Sequence, residues 1–316
     1  MVPAVSDFLK GKVVAVTGAG RGIGRAVALA CAAEGASVVV NDYGVSIDGS
    51  EPTSDVADGV VREIEAAGGT AVAVADDIST MAAGERIVQT AVDNYGRLDG
   101  VVCVAGILRE RMLFNMSEDE WDAVIATHLK GTFTVFRAAS AVMRKQEGGG
   151  SLVAFTSGVG MWGSVSQANY AAAKGGIVAL MRSAAVGLQR YGVNANCIAP
   201  VAQTRMAANV PGGTAETGEP EDVAPMVVYL LSDAARDVTG QTYTVVGGKI
   251  ALWSQPREIR EMVKDGRWTP QEIVDKLPDA VGSDRMPMFE YLEMMQKKSG
   301  GGSGLGAAAA EGKPAQ

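Results

Sequence analysis

The chain has 316 residues, 47% of them hydrophobic, with a formal net charge of −8 and a pI near 4.9. That acidic balance argues against nucleic acid or an anionic membrane surface as a partner. Cys31, Cys103 and Cys197 are widely spaced and accompany a single histidine, so neither a zinc site nor a disulfide framework is expected, and no metal is assigned.

Short β-branched runs alternate with longer helical stretches. "KVVAVTG" predicts a strand, "GRAVALACAAEG" a helix that Gly35 can close, and "SVVVNDYG" a second strand. A polar loop over 43–55 leads to helix "SDVADGVVREIEAAGG", strand "AVAVADDIS", helix "GERIVQTAVDNYG" and strand "LDGVVCVAG". A long helix is predicted over 117–148, opened by the capping sequence "SEDE". Strand "GSLVAFTS", helix "NYAAAKGGIVALMRSAAVGLQRYG", strand "VNANCIAP", helix "PEDVAPMVVYLLSD" and a seventh strand, "GQTYTVVGG", complete the pattern. Beyond it, "TPQEIVDKL" predicts a helix capped by Thr269 with Pro270 in its first turn.

This alternation predicts an α/β fold of Rossmann type: a doubly wound, seven-stranded parallel sheet with ligands at the carboxyl ends of its strands. The expected organisation is a main domain over 1–248, a helical extension over 249–298 and a disordered tail over 299–316. The N-terminus has no basic leader, and no run of about 18 apolar residues escapes a charge or a glycine. The expectation is a cytoplasmic protein without a membrane span.

"VTGAGRGIG" joins the first strand to the first helix, so its backbone N–H groups can cradle a pyrophosphate at the positive helix end. Asp42 ends the second strand, where a carboxylate can accept bonds from an adenine ribose. In "SGVGMWGSVSQANYAAAK", Tyr170 and Lys174 share one face of a helix start, and Ser157 ends the preceding strand. A lysine ammonium beside a tyrosine stabilises the phenolate; a lowering of about three pKa units requires roughly 4 kcal/mol.

The spacing Gly18-x-x-x-Gly22-x-Gly24, with Ser157, Tyr170 and Lys174, resembles the short-chain dehydrogenase/reductase family over about residues 8–248. The resemblance implies Tyr170 as general acid/base, Ser157 as the group that holds the substrate oxygen, and Lys174 as partner of the tyrosine and of the nicotinamide ribose. It implies cofactor binding by Gly18, Arg21, Gly22, Ile23, Gly24, Asp42, Asp77, Ile78, Ala105, Gly106, Tyr170, Lys174, Pro200 and Thr204. Two departures stand out. Cys103 and Val104 replace the family's asparagines before "AG", and Thr204 comes one residue early after Pro200-Val201. His128, in "HLKGTF", stands where the family's fourth catalytic residue, an asparagine, usually stands. It reads as a relay member or helix-kink residue, with substrate contact and a plain interface hydrogen bond as alternatives.

Asp42 would meet the 2′-phosphate of NADP as a like charge, costing on the order of 1–4 kcal/mol, whereas Arg21 resembles the basic residue of NADP-preferring members. NAD is expected, NADP less so. "VVVNDYG", "AGILRER", "HLKGTF", "QANYAAAKGG" and "IAPVAQTRM" resemble one branch. It comprises the (3R)-hydroxyacyl-CoA dehydrogenase portion of peroxisomal multifunctional enzyme type 2 and its bacterial relatives. The implied activity is interconversion of a secondary alcohol and a ketone on a 3-hydroxyacyl-CoA or similarly bulky substrate. A hydroxysteroid dehydrogenase, an NADPH-dependent 3-oxoacyl carrier-protein reductase and a non-catalytic dinucleotide-binding module are the alternatives. Met161, Trp162 and Met206 flank the expected crevice, and Arg205 could meet a CoA phosphate or cap a helix. The resemblance also implies a homodimer or homotetramer through helices 117–147 and 168–191.

Overall fold

A computed structural model describes residues 7–45, 55–203 and 217–298. The chain forms two compact units, Met1–Trp253 and Ser254–Gln316. Thr204, Arg205, Met206, most of the 43–55 loop and the 299–316 tail lie outside the described residues.

In the first unit, strands β1 (Val13–Thr17), β2 (Ser37–Asn41), β3 (Thr70–Val74), β4 (Gly100–Cys103), β5 (Gly150–Phe155), β6 (Val193–Pro200) and β7 (Thr242–Val246) are all parallel. Their order is β3-β2-β1-β4-β5-β6-β7, so the sheet reverses direction of growth between β1 and β4. Ligands bind at such a reversal, at the carboxyl ends of the strands.

Strand pleating sends successive side chains to opposite faces. Val14 and Val16 of β1 join a core with helices α1 (Gly22–Ala33) and α2 (Asp55–Ala66). Val13 and Ala15 face the other way, into a core with α3 (Met81–Tyr95). That second core also takes Val135 and Ala139, and Ile177 and Met181 from farther along the chain. The stretch Ala168–Tyr191 has the length and hydropathy of a membrane-crossing helix, but its apolar residues Ile177, Val178 and Met181 are buried in this core.

An eighth strand, β8 (Lys249–Leu252), pairs antiparallel with β7, where the sequence predicted the sheet to end. Val246 pairs with Lys249, so Gly247-Gly248 forms a two-residue turn, with Gly247 at φ 49°. Glycine is favoured in that turn because it accepts positive φ. The Trp253 N–H then donates to Thr242 O at 2.9 Å. The first unit therefore ends at Trp253, beyond the expected boundary at 248.

The predicted helix 117–148 is interrupted. Helix α4 (Glu118–Ile125), with Ser117 and Glu120 in a capping box, passes through a π-turn over Ala126–Lys130 into α5 (Gly131–Met143). Short helix α6 (Val159–Trp162), long helix α7 (Ala168–Leu188) and α8 (Ala224–Leu231) follow. In the second unit, residues 254–269 carry no helix. Helix α9 (Pro270–Ala280) is capped by Thr269, whose side chain accepts from the Glu272 N–H, and α10 (Pro287–Lys298) follows. Lys264 pairs with Glu272 at 2.7 Å and lies 5.2 Å from the centroid of the Trp268 ring.

Candidate active site

The carboxyl ends of the strands open on a cleft of about 640 Å³. Its walls bring together Gly18, Arg21, Gly22, Ile23, Gly24, Asp42, Asp77, Ile78, Ala105, Gly106, His128, Ser157, Tyr170, Lys174 and Pro200, the described catalytic and cofactor residues that the sequence nominated. Met161, packed against the core, and Trp162, whose ring lies beside that of Trp253, do not line it, contrary to expectation.

At one end the turn after β1 leans on the chain leaving β4. Gly18 adopts φ 65°, and a Cβ there would lie 2.6 Å from the Ala105 backbone. A Cβ on Gly24 would lie 2.0 Å from Gly18 O. The turn thus folds tightly over the start of α1 and presents backbone to the cleft, the shape a pyrophosphate needs. Asp42 braces it: Oδ2 accepts the Gly20 N–H at 2.7 Å and Oδ1 accepts the Gly44 N–H at 2.6 Å. Each carboxylate oxygen retains acceptor capacity toward the cleft. Asp77 closes a local turn, accepting from the Ser79 N–H and hydroxyl, both at 2.9 Å. Asn41, which the sequence reading passed over, donates to Val74 O and Asp76 O at 3.0 Å and fixes the end of β3 beside it.

At the other end, β5 delivers Ser157 and α7 delivers Tyr170 and Lys174. Lys174 is buried; its Nζ donates to Phe155 O at 2.6 Å and lies 5.5 Å from the Tyr170 ring centroid. Thr156 holds that turn of α7, its hydroxyl donating to Lys174 O at 2.8 Å. Burial pushes the Lys174 ammonium down to about 7. It also pushes Tyr170 up to about 12, against a hydrogen bond with Ser157 that lowers it. The expected lowering of the tyrosine is therefore absent in the protein by itself. Desolvation outweighs the Ser157 hydrogen bond, and the Lys174 ammonium is turned onto the neutral carbonyl of Phe155.

His128 sits in the π-turn between α4 and α5 and is 1% exposed. Its Nε2 lies 3.1 Å from Ile107 N and 2.8 Å from Ile107 O. Burial first, then the nearby Lys174 charge, pushes it down to about 3, so at neutral pH it is an uncharged ring. A proton carrier near pH 7 it is not. It lies within the π-turn over Ala126–Lys130, and its own O accepts the Thr132 hydroxyl at 2.7 Å.

Among the described residues, the buried side-chain N and O atoms without a partner are Thr17 Oγ1 and His128 Nδ1. Thr17 is in register with Cys103, one of the positions where this chain departs from the family's asparagines, and His128 is another. Asn169 is the residue that sequence reasoning missed most completely. It lies beside Tyr170 in "QANY", and its partners at 109 and 120 are far away in the chain.

Residues 18–249 match the family described as enoyl-(acyl carrier protein) reductase. The hydroxyacyl-CoA dehydrogenase ChsB1 of Mycobacterium tuberculosis is 46% identical over 305 residues, covering 92% of this chain and 95% of that one. Peroxisomal multifunctional enzyme type 2 of Mus musculus is 41% identical over 268 residues, 84% of this chain but 36% of that enzyme. A crystal structure of a short chain dehydrogenase from Mycobacterium avium superposes with a TM-score of 0.78 at 46% identity, covering 88% of this chain and 97% of that one. The chain belongs to the short-chain dehydrogenase/reductase family.

Proposed function

We propose that the protein oxidises the hydroxyl of a 3-hydroxyacyl-CoA, or of a similarly bulky secondary alcohol, to the ketone with NAD. The observation that carries this reading is the convergence of Ser157, Tyr170 and Lys174 on the cleft that also takes the glycine turn and Asp42. The similarity to a hydroxyacyl-CoA dehydrogenase along 92% of the chain supports the substrate class.

The tight glycine turn and the braced carboxylate of Asp42 fit a dinucleotide, with Asp77, Ile78, Ala105, Gly106 and Pro200 along its path. When bound, it supplies the hydride acceptor. The chain's own residues manage the proton. Ser157 would hold the substrate oxygen by hydrogen bond, and Tyr170 as the phenolate would take the hydroxyl proton, becoming the phenol as the hydride leaves the carbon for the bound acceptor. Lys174, held by Phe155 O, sets a cation 5.5 Å from the Tyr170 ring and favours the phenolate when protonated. His128 supports the tyrosine ring from the side and exchanges no proton.

In this reading Asp42 favours NAD, because its carboxylate, held by two backbone bonds at the end of β2, would meet a 2′-phosphate as a like charge. The working unit in this reading is a cytoplasmic homodimer or homotetramer. The test is fluorescence titration with NADH and NADPH, then turnover on a panel of 3-hydroxyacyl-CoAs and hydroxysteroids. NADH binding with acyl-CoA turnover is expected. A clear NADPH preference would instead make Arg21 dominant and a carrier-protein reductase the better reading; turnover of hydroxysteroids alone would move the substrate class.

A further inference from the structure

We propose that Asn169 is the positioning residue for the phenol of Tyr170, an inference that rests on the acid/base role proposed above. Tyr170 stands in the first turn of α7, where backbone N–H groups have no partner within the helix. Gln167, at the N-cap, makes no side-chain cap bond. Asn169 supplies the acceptor from inside the turn: its Oδ1 accepts the Tyr170 N–H at 2.8 Å. Its Nδ2 donates to Arg109 O and to Glu120 O, both at 2.9 Å. Those partners fix the orientation of the amide, because only its NH₂ end can donate to two carbonyls. The residue is 1% exposed, so no water competes for these bonds.

One buried amide therefore ties three segments together: the chain beyond β4, the start of α4 and the first turn of α7. Further contacts join the same segments. The Arg111 N–H donates to Ser166 O at 2.8 Å, Gln167 donates to the Glu110 carboxylate, and Arg111 pairs with Glu120 at 2.9 Å. Arg109 and Gln167 line the cleft, so the amide that bonds the Tyr170 backbone also holds a wall of the cleft. His128 meets the ring edge-on, so Tyr170 is fixed at its ring by the imidazole and at its backbone by Asn169. Proton transfer tolerates little error in that placement; a displacement of 1 Å costs about 100-fold in rate.

The test compares Asn169→Ala, Asn169→Asp and Tyr170→Phe with the wild type in the full-length protein. Asn169→Asp keeps the volume and the acceptor for the Tyr170 N–H but loses both donors, and serves if Asn169→Ala does not fold. Turnover of a 3-hydroxyacyl-CoA is measured against pH, NADH affinity by fluorescence, and the thermal midpoint by circular dichroism. The expected result is a kcat lower by about 10- to 100-fold, with the limb on which oxidation rises with pH moved to higher pH, and NADH affinity within about twofold. Variants that melt earlier yet keep the wild-type kcat and pH limb would overturn the proposal, since a merely structural amide predicts that outcome. A loss of NADH affinity as large as the loss of kcat would overturn it too. If Tyr170→Phe retains wild-type turnover, the acid/base reading itself fails, a result distinct from either.

Discussion

The imidazole of His128 meets the ring of Tyr170 edge-on, with centroids 5.2 Å apart and planes at 88°. On its other side it fills the space that a side chain at Gly106 would need. With the proton on Nε2, the ring donates to Ile107 O at 2.8 Å and leaves a lone pair at Nδ1 and the Ile107 N–H without its acceptor. With the proton on Nδ1, Nε2 accepts the Ile107 N–H at 3.1 Å and the Nδ1–H is buried without a partner. The ring is thus a neutral wedge between the β4 exit and the tyrosine.

Because His128 is the only histidine, its titration can be followed without ambiguity. Its imidazole proton signals are expected to stay unchanged between pH 8 and 5 in the folded protein, since burial holds the ring down at about 3. The linkage has a definite sign. Below about 6.5 the unfolded histidine binds a proton that the folded one does not, so stability falls as pH drops from 6.5 towards 3. The slope from this group approaches about 1.4 kcal/mol per pH unit. Denaturant unfolding of His128→Asn over that window should lack this component. A histidine signal that titrates near 6.5 would mean that the ring is solvated.

Gly106→Ala tests the wedge from the opposite side. The added Cβ would lie 2.2 Å from His128 Cε1, so the ring or the β4 exit must move. Overpacking of this kind costs about 1–3 kcal/mol, and turnover should fall with it because Tyr170 loses its lateral support. Pairing it with His128→Asn, a smaller side chain, should recover part of the lost stability. Additive losses in the double variant would show that the two positions do not compete for one space.

Lys174 carries the opposite kind of information, a stability cost tied to function. Its ammonium is held down at about 7 in the fold against 10.5 in the unfolded chain, mainly by burial. Between those values the unfolded chain binds a proton that the fold does not, so the wild type loses stability as pH falls from 10.5 towards 7. Lys174→Met removes that slope. Relative to wild type it should gain about 1.4 kcal/mol per pH unit across pH 10 to 8, set against a fixed loss from leaving Phe155 O without its donor. Turnover should vanish while cofactor-free stability at pH 7.5 holds or rises. A stability difference independent of pH would place the ammonium in water.

Which parts of this were readable in the chain follows from how local each one is. The glycine turn, Asp42 and the Tyr170–Lys174 pair announce themselves because their geometry is set within a few residues of a strand end or helix start. Asn169 does not, since its bonds reach Arg109 and Glu120 and are made only when α4 and α7 come together. The π-turn at Ala126–Lys130 hides for a different reason: one wide turn barely disturbs a helical hydrophobic pattern. β8 was missed because Gly247-Gly248 signals a stop and a hairpin equally well, and only pairing with β7 distinguishes them. The rise of Tyr170 to about 12 was likewise out of reach, because spacing places a lysine near a tyrosine but says nothing of how much water both have lost.

In the proposed function, cofactor choice rests on whether Asp42 can step aside for a phosphate. A carboxylate on a free side chain could rotate away, but this one accepts the Gly20 N–H at 2.7 Å and the Gly44 N–H at 2.6 Å. Turning it would strip acceptors from two backbone donors, about 1–3 kcal/mol for each one buried, in addition to the like-charge contact of about 1–4 kcal/mol. Asp42→Ala should therefore improve NADPH affinity by about tenfold or more and weaken NADH as the ribose acceptors go. It should also lower the thermal midpoint, because both donors lose their partner whichever nucleotide is present. Asp42→Asn separates the effects: it removes the charge but keeps one amide oxygen for one of the two N–H groups, so it should melt between the other two proteins and still bind NADPH better than wild type. If neither variant improves NADPH binding, the phosphate is excluded by the shape of the turn and not by the charge of Asp42, and Arg21 at the start of α1 offers it no compensating partner.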